Sequence, residues 1–179
     1  ERRWKHLNFW QYETILSARV PRVKCEQCGV HQVEVPWARE GSGFTLLFEA
    51  MAMLLSRHMS VSEAAEMLGE YDTRIWRVVS HYVDQAREAA DWSGVRRVAV
   101  DEVSRKRGHV YATNFLDLDS GELLFMAPGK DASTFEAFAE ELARHGGRPG
   151  QIEELAMDMS KAFRKGAAKH FPEAKISFD

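Results

Sequence analysis

Hydrophobic and polar positions change their rhythm twice along the chain, and the changes divide it into three stretches. Up to residue 40 the pattern is short and β-like, with runs over residues 4–10, 14–20 and 30–35. Pro36 ends the third run and Trp37 leads into a linker. From residue 44 the period becomes helical. Phe44, Leu47, Phe48, Met51, Leu54 and Leu55 recur three and four residues apart, which predicts a helix over 44–57. Ser60 followed by Glu63 is a capping box that opens a short helix over 61–68. Gly69, at the position where helices take glycine, stops it. Asp72 or Thr73 then caps a longer third helix, with Ile75, Trp76, Val79, Tyr82 and Val83 as its expected buried stripe. After Trp92-Ser93-Gly94 the pattern turns α/β. Strands are expected over 95–103, 109–116, 123–127, 152–157 and 174–178. Helices are expected over 133–145, opened by a Ser133-x-x-Glu136 capping box, and over 161–170, broken by Pro172.

The fold class is therefore α/β and multi-domain. It comprises a small β module over 1–40, a three-helix region over 44–91 and a βββαβαβ domain over 95–179. Asp117-Leu118-Asp119-Ser120-Gly121 has the residues of a hairpin turn, so the first three strands of the last domain form an antiparallel meander. Helical crossovers then return parallel strands to the same sheet.

Helix, short helix, glycine-containing turn and longer helix is the helix-turn-helix pattern. In a DNA-binding version the first turn of the third helix faces the major groove, so Thr73, Arg74 and Arg77 reach base edges or phosphates. The plain alternative is a three-helix bundle, and the acidic balance of residues 44–91 favours it.

The βββαβαβ order matches the ribonuclease-H-like fold. Asp101 at the end of the first strand and Asp158 just after the fourth would then be neighbours. Paired carboxylates on rigid strand ends suit Mg²⁺, a hard cation that takes oxygen ligands, and two such ions can serve phosphodiester cutting and joining. The bland reading of each is a strand-end aspartate capping the next element. Glu102 points to the opposite face from Asp101. Asp117 and Asp119 read as turn residues, and Asp131 lies near a helix start. Basic residues flank both acids: Arg105, Lys106 and Arg107 in a turn over 104–108, and Lys161, Arg164, Lys165 and Lys169 on one helical face.

Composition narrows the picture. The chain has 179 residues, 45% hydrophobic and 28% charged, with a formal net charge of −3. No global basic field announces a nucleic-acid partner, so any DNA contact comes from local clusters. Residues 1–43 alone are more basic than acidic. No stretch approaches a membrane span, and no signal peptide is visible. The chain starts at Glu1 and stops at Asp179 directly after a strand-like run, so it reads as a piece of a longer polypeptide. Cys25-Glu26-Gln27-Cys28 is a CxxC followed by Gly29, the shape of one zinc-ribbon knuckle, with His31 or His6 as distant further ligands. Two ordinary cysteines in a turn and a redox pair are the alternatives. The aromatics Trp4, Phe9, Trp10 and Tyr12 read as the core of a tiny domain rather than as base-stacking platforms.

Several segments together carry a family resemblance. They are Val100-Asp101-Glu102-x-Ser104-x-Lys106-Arg107-Gly108-His109-x-Tyr111-Ala112-Thr113, Asp117-Leu118-x-x-Gly121, Met157-Asp158-Met159-Ser160 and His170-Phe171-Pro172-x-Ala174-x-Ile176-x-Phe178-Asp179. With Trp4-x-His6-Leu7, the cysteine turn and the helix-turn-helix, they resemble bacterial insertion-sequence transposases of the ISL-three family. The resemblance implies a zinc-binding module (Zn²⁺ on Cys25 and Cys28), a DNA-binding helix-turn-helix and a DDE catalytic domain using Mg²⁺ or Mn²⁺. Asp101 and Asp158 would be its first two acids. The third, a Glu, comes further downstream in the family. Expected partners are double-stranded DNA, as element terminal inverted repeats and target, and further copies of the enzyme when active, in the bacterial cytoplasm at the nucleoid. A truncated DNA-binding regulator and an unrelated ribonuclease-H-like nuclease are the rival readings.

Overall fold

The computed structural model describes residues 1–106 and 110–178, with side chains for all of these except 105, 106 and 110. It divides into two compact units, Glu1–Arg87 and Glu88–Asp179.

In the first unit β1 (Arg2–Lys5) pairs antiparallel with β2 (Ile15–Ala18), and β3 (Arg22–Cys25) with β4 (Gly29–Gln32). The run expected over 4–10 thus pairs only as far as Lys5. The strand at Arg22–Cys25 has no sequence signature because Arg22, Val23 and Lys24 are all exposed. A strand with no buried face leaves no period-2 mark. The expected aromatic core also needs correction. Trp4 is fully buried, edge-to-face with Trp37 at 5.6 Å, but Phe9, Trp10 and Tyr12 are 69%, 82% and 65% exposed.

Three helices follow: α1 (Leu46–Ser56), α2 (Val61–Leu68) and α3 (Asp72–Glu88). Thr45 caps α1, accepting from the Phe48 N–H, and the Ser60/Glu63 capping box forms around the start of α2. Gly69 ends α2 at φ 61°, in the left-handed region where a Cβ would clash with its own backbone. The core is Phe44 stacked on Phe48 at 4.5 Å, with Ala52, Ala65, Leu68, Ile75 and Val78. The buried stripe of α3 runs through Ile75 and Val78, with Val79 and Tyr82 half-buried beside them. Trp76 and Val83 were expected inside but are 53% and 51% exposed. Each sits one residue, about 100° of helix rotation, past Ile75 and Tyr82 respectively.

Two buried charges tie this unit together. The Glu49 carboxylate is fully buried and accepts from Ser42 Oγ (2.6 Å), Tyr82 Oη (2.8 Å) and Arg39 Nε (3.0 Å). Lys5 Nζ donates to the Gly69 carbonyl at 2.6 Å and lies 3.3 Å from both Glu13 and Glu70. The lysine thereby neutralises the carbonyl end of α2.

The second unit is a five-stranded sheet in the order β7-β6-β5-β8-β9. Its strands are β5 (Arg97–Lys106), β6 (Val110–Asp117), β7 (Leu123–Pro128), β8 (Glu154–Met157) and β9 (Lys175–Phe178). β5, β6 and β7 form an antiparallel meander, and β8 and β9 add in parallel. Helices α4 (Ser133–Arg144) and α5 (Lys161–His170) make the two crossovers. Val98, Val100, Phe115, Leu155 and Met157 of the sheet share one core with Phe135, Phe138 and Leu142 of α4 and Phe163 and Ala167 of α5. Phe115 stacks on Phe138 at 4.3 Å and meets Phe135 edge-on at 5.4 Å.

The capping box expected at Ser133/Glu136 does not form. Ser133 instead turns back to Asp131, whose Oδ1 accepts its N–H at 2.8 Å and its hydroxyl at 2.5 Å. The hydroxyl first, then the N–H, holds the Asp131 carboxyl below the usual range. α4 and α5 pack so closely that a Cβ on Gly166 would lie 2.5 Å from the Phe135 ring. Phe135 is fully buried and cannot swing away, so Gly166→Ala is expected to destabilise the unit by about 1–3 kcal/mol. Thermal unfolding followed by circular dichroism measures this, and an unchanged midpoint would show that the two helices part without penalty.

Candidate functional site

β5 and β8 run parallel, with Val98 opposite Leu155 and Val100 opposite Met157. These four side chains enter the helix-covered core. Alternation turns the next residue of β5, Asp101, to the other face, and Asp158 directly follows the end of β8. Asp101 and Asp158 each directly follow the last register pair, Val100 and Met157, of two strands about 4.8 Å apart. Both are exposed. Each carboxylate is held by one local bond: Asp101 Oδ1 accepts the Glu102 N–H at 2.7 Å, and Asp158 Oδ1 accepts the Met159 N–H at 2.6 Å. Asp158 is not the cap of α5, because Ser160 occupies that position. Neither aspartate has an ion pair with a described residue, and each has one oxygen with no partner among those residues.

Asn114 lies directly opposite Asp101 on β6, and its Oδ1 is buried without a hydrogen-bond partner. Nothing in the sequence pattern marks Asn114, because its significance depends on the β5–β6 register. Carboxylate and amide oxygens are the hard donors that a divalent cation takes, and Asp101, with Asn114 opposite it on β6, and Asp158 after β8 are the residues here that could offer them. Glu102 stays outside this group, on the opposite face and 3.8 Å from Lys130. Among the described residues no group of three His, Cys, Asp or Glu side chains stands together, and Asp179 lies outside them.

Beyond Asp158, the exposed Lys161, Arg164 and Lys165 of α5 line a depression of about 380 Å³ with Ala168 and Ile176. Lys169 on the same face lies 4.0 Å from Glu136. Arg105 and Lys106 fall within β5 rather than in a turn, and their side chains, like the whole of Arg107, lie outside the described residues.

On α3, Thr73 and Arg77 are exposed, with Trp76 between them. Arg74 is differently placed. Its guanidinium bonds Glu70 at 2.6 Å and lies 4.3 Å from the centre of the Phe44 ring, so it braces the turn from α2.

Cys25 and Cys28 bracket the β3–β4 turn, both as free thiols, and Gly29 completes the turn at φ 91°. A hydrogen bond from Cys28, supported by backbone N–H groups, holds the Cys25 thiol below its ordinary range, and the same contact raises Cys28. Two sulfur donors suit zinc, which takes four ligands in a structural site. The histidines considered as further ligands are engaged elsewhere: His31 Nε2 lies 2.8 Å from the Cys28 carbonyl, and His6 Nδ1 lies 2.8 Å from Thr45 Oγ1 at the cap of α1.

Three segments of the chain match parts of one kind of protein. Residues 1–28 match the zinc-finger of transposase IS204/IS1001/IS1096/IS1165. Residues 33–83 match the helix-turn-helix domain of transposase family ISL3, and residues 98–179 match its transposase domain. The chain belongs to transposase family ISL3.

The chain is 31% identical over 180 residues to the transposase for insertion sequence element IS1557 of Mycobacterium tuberculosis, covering 97% of this chain and 39% of that protein. To the transposase for IS1001 of Bordetella parapertussis it is 30% identical over 185 residues, covering 99% of this chain and 44% of that protein. The chain thus spans about two fifths of the length of the curated relatives it matches. Within the ISL3 matches, the zinc-finger segment ends at Cys28, and the transposase segment begins at Val98, inside the strand that carries Asp101. Among the described residues no helix is long and apolar enough to cross a membrane.

Proposed function

We propose that this chain is the DNA-binding part and the first two catalytic acids of an insertion-sequence transposase. It binds element ends, and the whole enzyme cuts and rejoins DNA by transesterification. The observation that carries the reading is the parallel β5–β8 register, which supports Asp101 and Asp158 as neighbours with uncommitted oxygens. The strand and helix order supports a ribonuclease-H-like domain over 95–179, preceded by a partial zinc ribbon over 1–40 and a helix-turn-helix over 44–91. Zn²⁺ would sit on Cys25 and Cys28. Asp101 and Asp158 would hold Mg²⁺ or Mn²⁺, which when bound helps an attacking oxygen ionise and a leaving oxygen depart.

The residues of the chain prepare that reaction by position. Asp101 lies within β5, which runs on to Lys106 beyond the strand end expected near it, and Asp158 directly follows β8, so paired backbone and the core that holds Val100 and Met157 leave both carboxylates little freedom to lose. Lys161, Arg164 and Lys165, which follow Asp158 on α5, supply cations for phosphates, and Arg105, Lys106 and Arg107, which follow Asp101 in the sequence, would supply others. Thr73 and Arg77 face duplex DNA from α3. Arg74 shapes that surface through Glu70 and Phe44. The substrates are terminal inverted repeats and target DNA, which places the enzyme on the bacterial nucleoid. Active enzyme assembles from several copies.

The isolated chain is expected to bind duplex DNA without cutting it, because a third carboxylate is missing from the described site. Mobility shifts at rising salt test this. Arg77→Ala should weaken binding evenly across sequences and reduce the salt slope by about one. Metal-dependent strand cleavage by the chain itself would sink the incomplete-site reading, and failure to bind any DNA would sink the whole proposal.

A further inference from the structure

The β1–β2 ribbon ends in a feature that neither the metal site nor the helix-turn-helix uses. Phe9 and Tyr12 exchange backbone hydrogen bonds, each at 3.0 Å, and close a two-residue turn over Trp10 and Gln11. Trp10 has φ 58° and is the non-glycine residue with positive φ among the described residues. It occupies the first central position of the turn, where hairpins with a positive φ take glycine. A bulky residue there is a genuine backbone outlier. The indole does not relieve that strain by packing inward, because it is 82% exposed. Phe9 stands edge-on to it at 6.5 Å, and Tyr12 is exposed on the other side of the turn. Strain kept where it stabilises nothing points to a function for the side chain.

The surroundings select the ligand. Arg3, Arg19, Arg22 and Lys24 are exposed at the strands of the same module. None of them has an ion pair with a described residue. Exposed aromatic rings at a turn, on a module whose strands carry exposed cations without ion pairs to described residues, have the make-up of a base-stacking nucleic-acid contact, in which rings meet bases and cations meet phosphates. We propose that the Phe9–Tyr12 turn is a DNA contact in which Trp10 lies against an unpaired base. The proposal rests on the reading of the chain as an end-binding transposase segment and adds to it a preference for DNA with exposed bases.

The test uses the full chain and two labelled random-sequence DNAs, a blunt duplex and the same duplex with a single-stranded overhang, read by fluorescence anisotropy. Trp10→Gly removes the ring and suits the backbone. It is expected to weaken binding to the overhang DNA about tenfold. The dependence of affinity on salt should stay unchanged, because stacking releases no counterions. The thermal midpoint should stay level or rise, and Trp10→Phe should recover part of the affinity. Equal affinity of wild type and Trp10→Gly for the overhang DNA would overturn the proposal while leaving the transposase reading intact. So would a loss of affinity matched by a fall in thermal midpoint, or a change only in self-association. If the wild-type chain binds neither DNA, both readings fail together.

Discussion

Asp101→Asn and Asp158→Asn, each placed in an enzyme that carries this chain together with a third acid, are expected to reduce strand cleavage by about a thousandfold or more. Asparagine keeps the size of the side chain and its place, within β5 for Asp101 and just after β8 for Asp158, but it replaces an anionic oxygen with an amide. A hard divalent cation loses a charged ligand, and the attacking and leaving oxygens lose the electrostatic help it brings. DNA binding should persist or tighten, since one negative charge near the phosphates is gone. That split separates a catalytic role from a structural one. A gel assay on labelled element ends, run beside a mobility shift, reads both. If either variant cuts at the wild-type rate, the corresponding aspartate holds no metal. Glu102→Gln serves as the neighbouring control, because that side chain lies on the other face of β5 and is expected to leave cleavage near wild type.

The second large effect concerns Glu49. Glu49→Ala is expected to destabilise the Glu1–Arg87 unit by about 3–5 kcal/mol, the usual consequence of removing one partner from a buried charged cluster. Arg39, Ser42 and Tyr82 all donate to that carboxylate, so its loss leaves three polar groups short of a partner at once. Urea unfolding measures the change, and a loss below about 1 kcal/mol would show that water fills the gap. A second readout is specific to the contact. Burial first, and Glu49 second, push the Tyr82 hydroxyl up from 10.0 to about 12. Glu49→Gln removes the negative charge and should let Tyr82 titrate lower. The raised value also means that this contribution to stability is intact below pH 10 and is lost as pH climbs towards about 12.

Much of the second unit was legible because its signals are local and agree. The periods of β7, α5 and β9, the Asp117–Gly121 turn and the breaker at Pro172 each point the same way, and right-handed crossovers leave few ways to join them. The first unit was legible in its helices, where the Ser60/Glu63 box and Gly69 mark the ends of α2 to the residue. It was less legible in its ribbons. β3 is exposed on both faces and carries no alternation. The aromatics of residues 9–12 have core composition but stand at a turn tip. On α3 the apolar residues outnumber the buried positions, so composition alone could not set the phase, and Trp76 came out on the surface.

The same division holds for the candidate site. Residue type and strand order single out Asp101, Asp158 and the CxxC turn, because these depend on neighbours within a few positions. Register is different. That Val100 faces Met157 and that Asn114 lies opposite Asp101 with an orphaned oxygen follow from pairing between separate segments. So do the approach of the Arg74 guanidinium to the Phe44 ring and the capture of His6 by Thr45. By itself the sequence determined most of the elements, β3 excepted, and which acids belong to β5 and follow β8, since propensity, capping and turn chemistry are short-range. Only the tertiary structure decided which of those side chains remain free to meet metal or DNA, since long-range packing and hydrogen bonding commit the others.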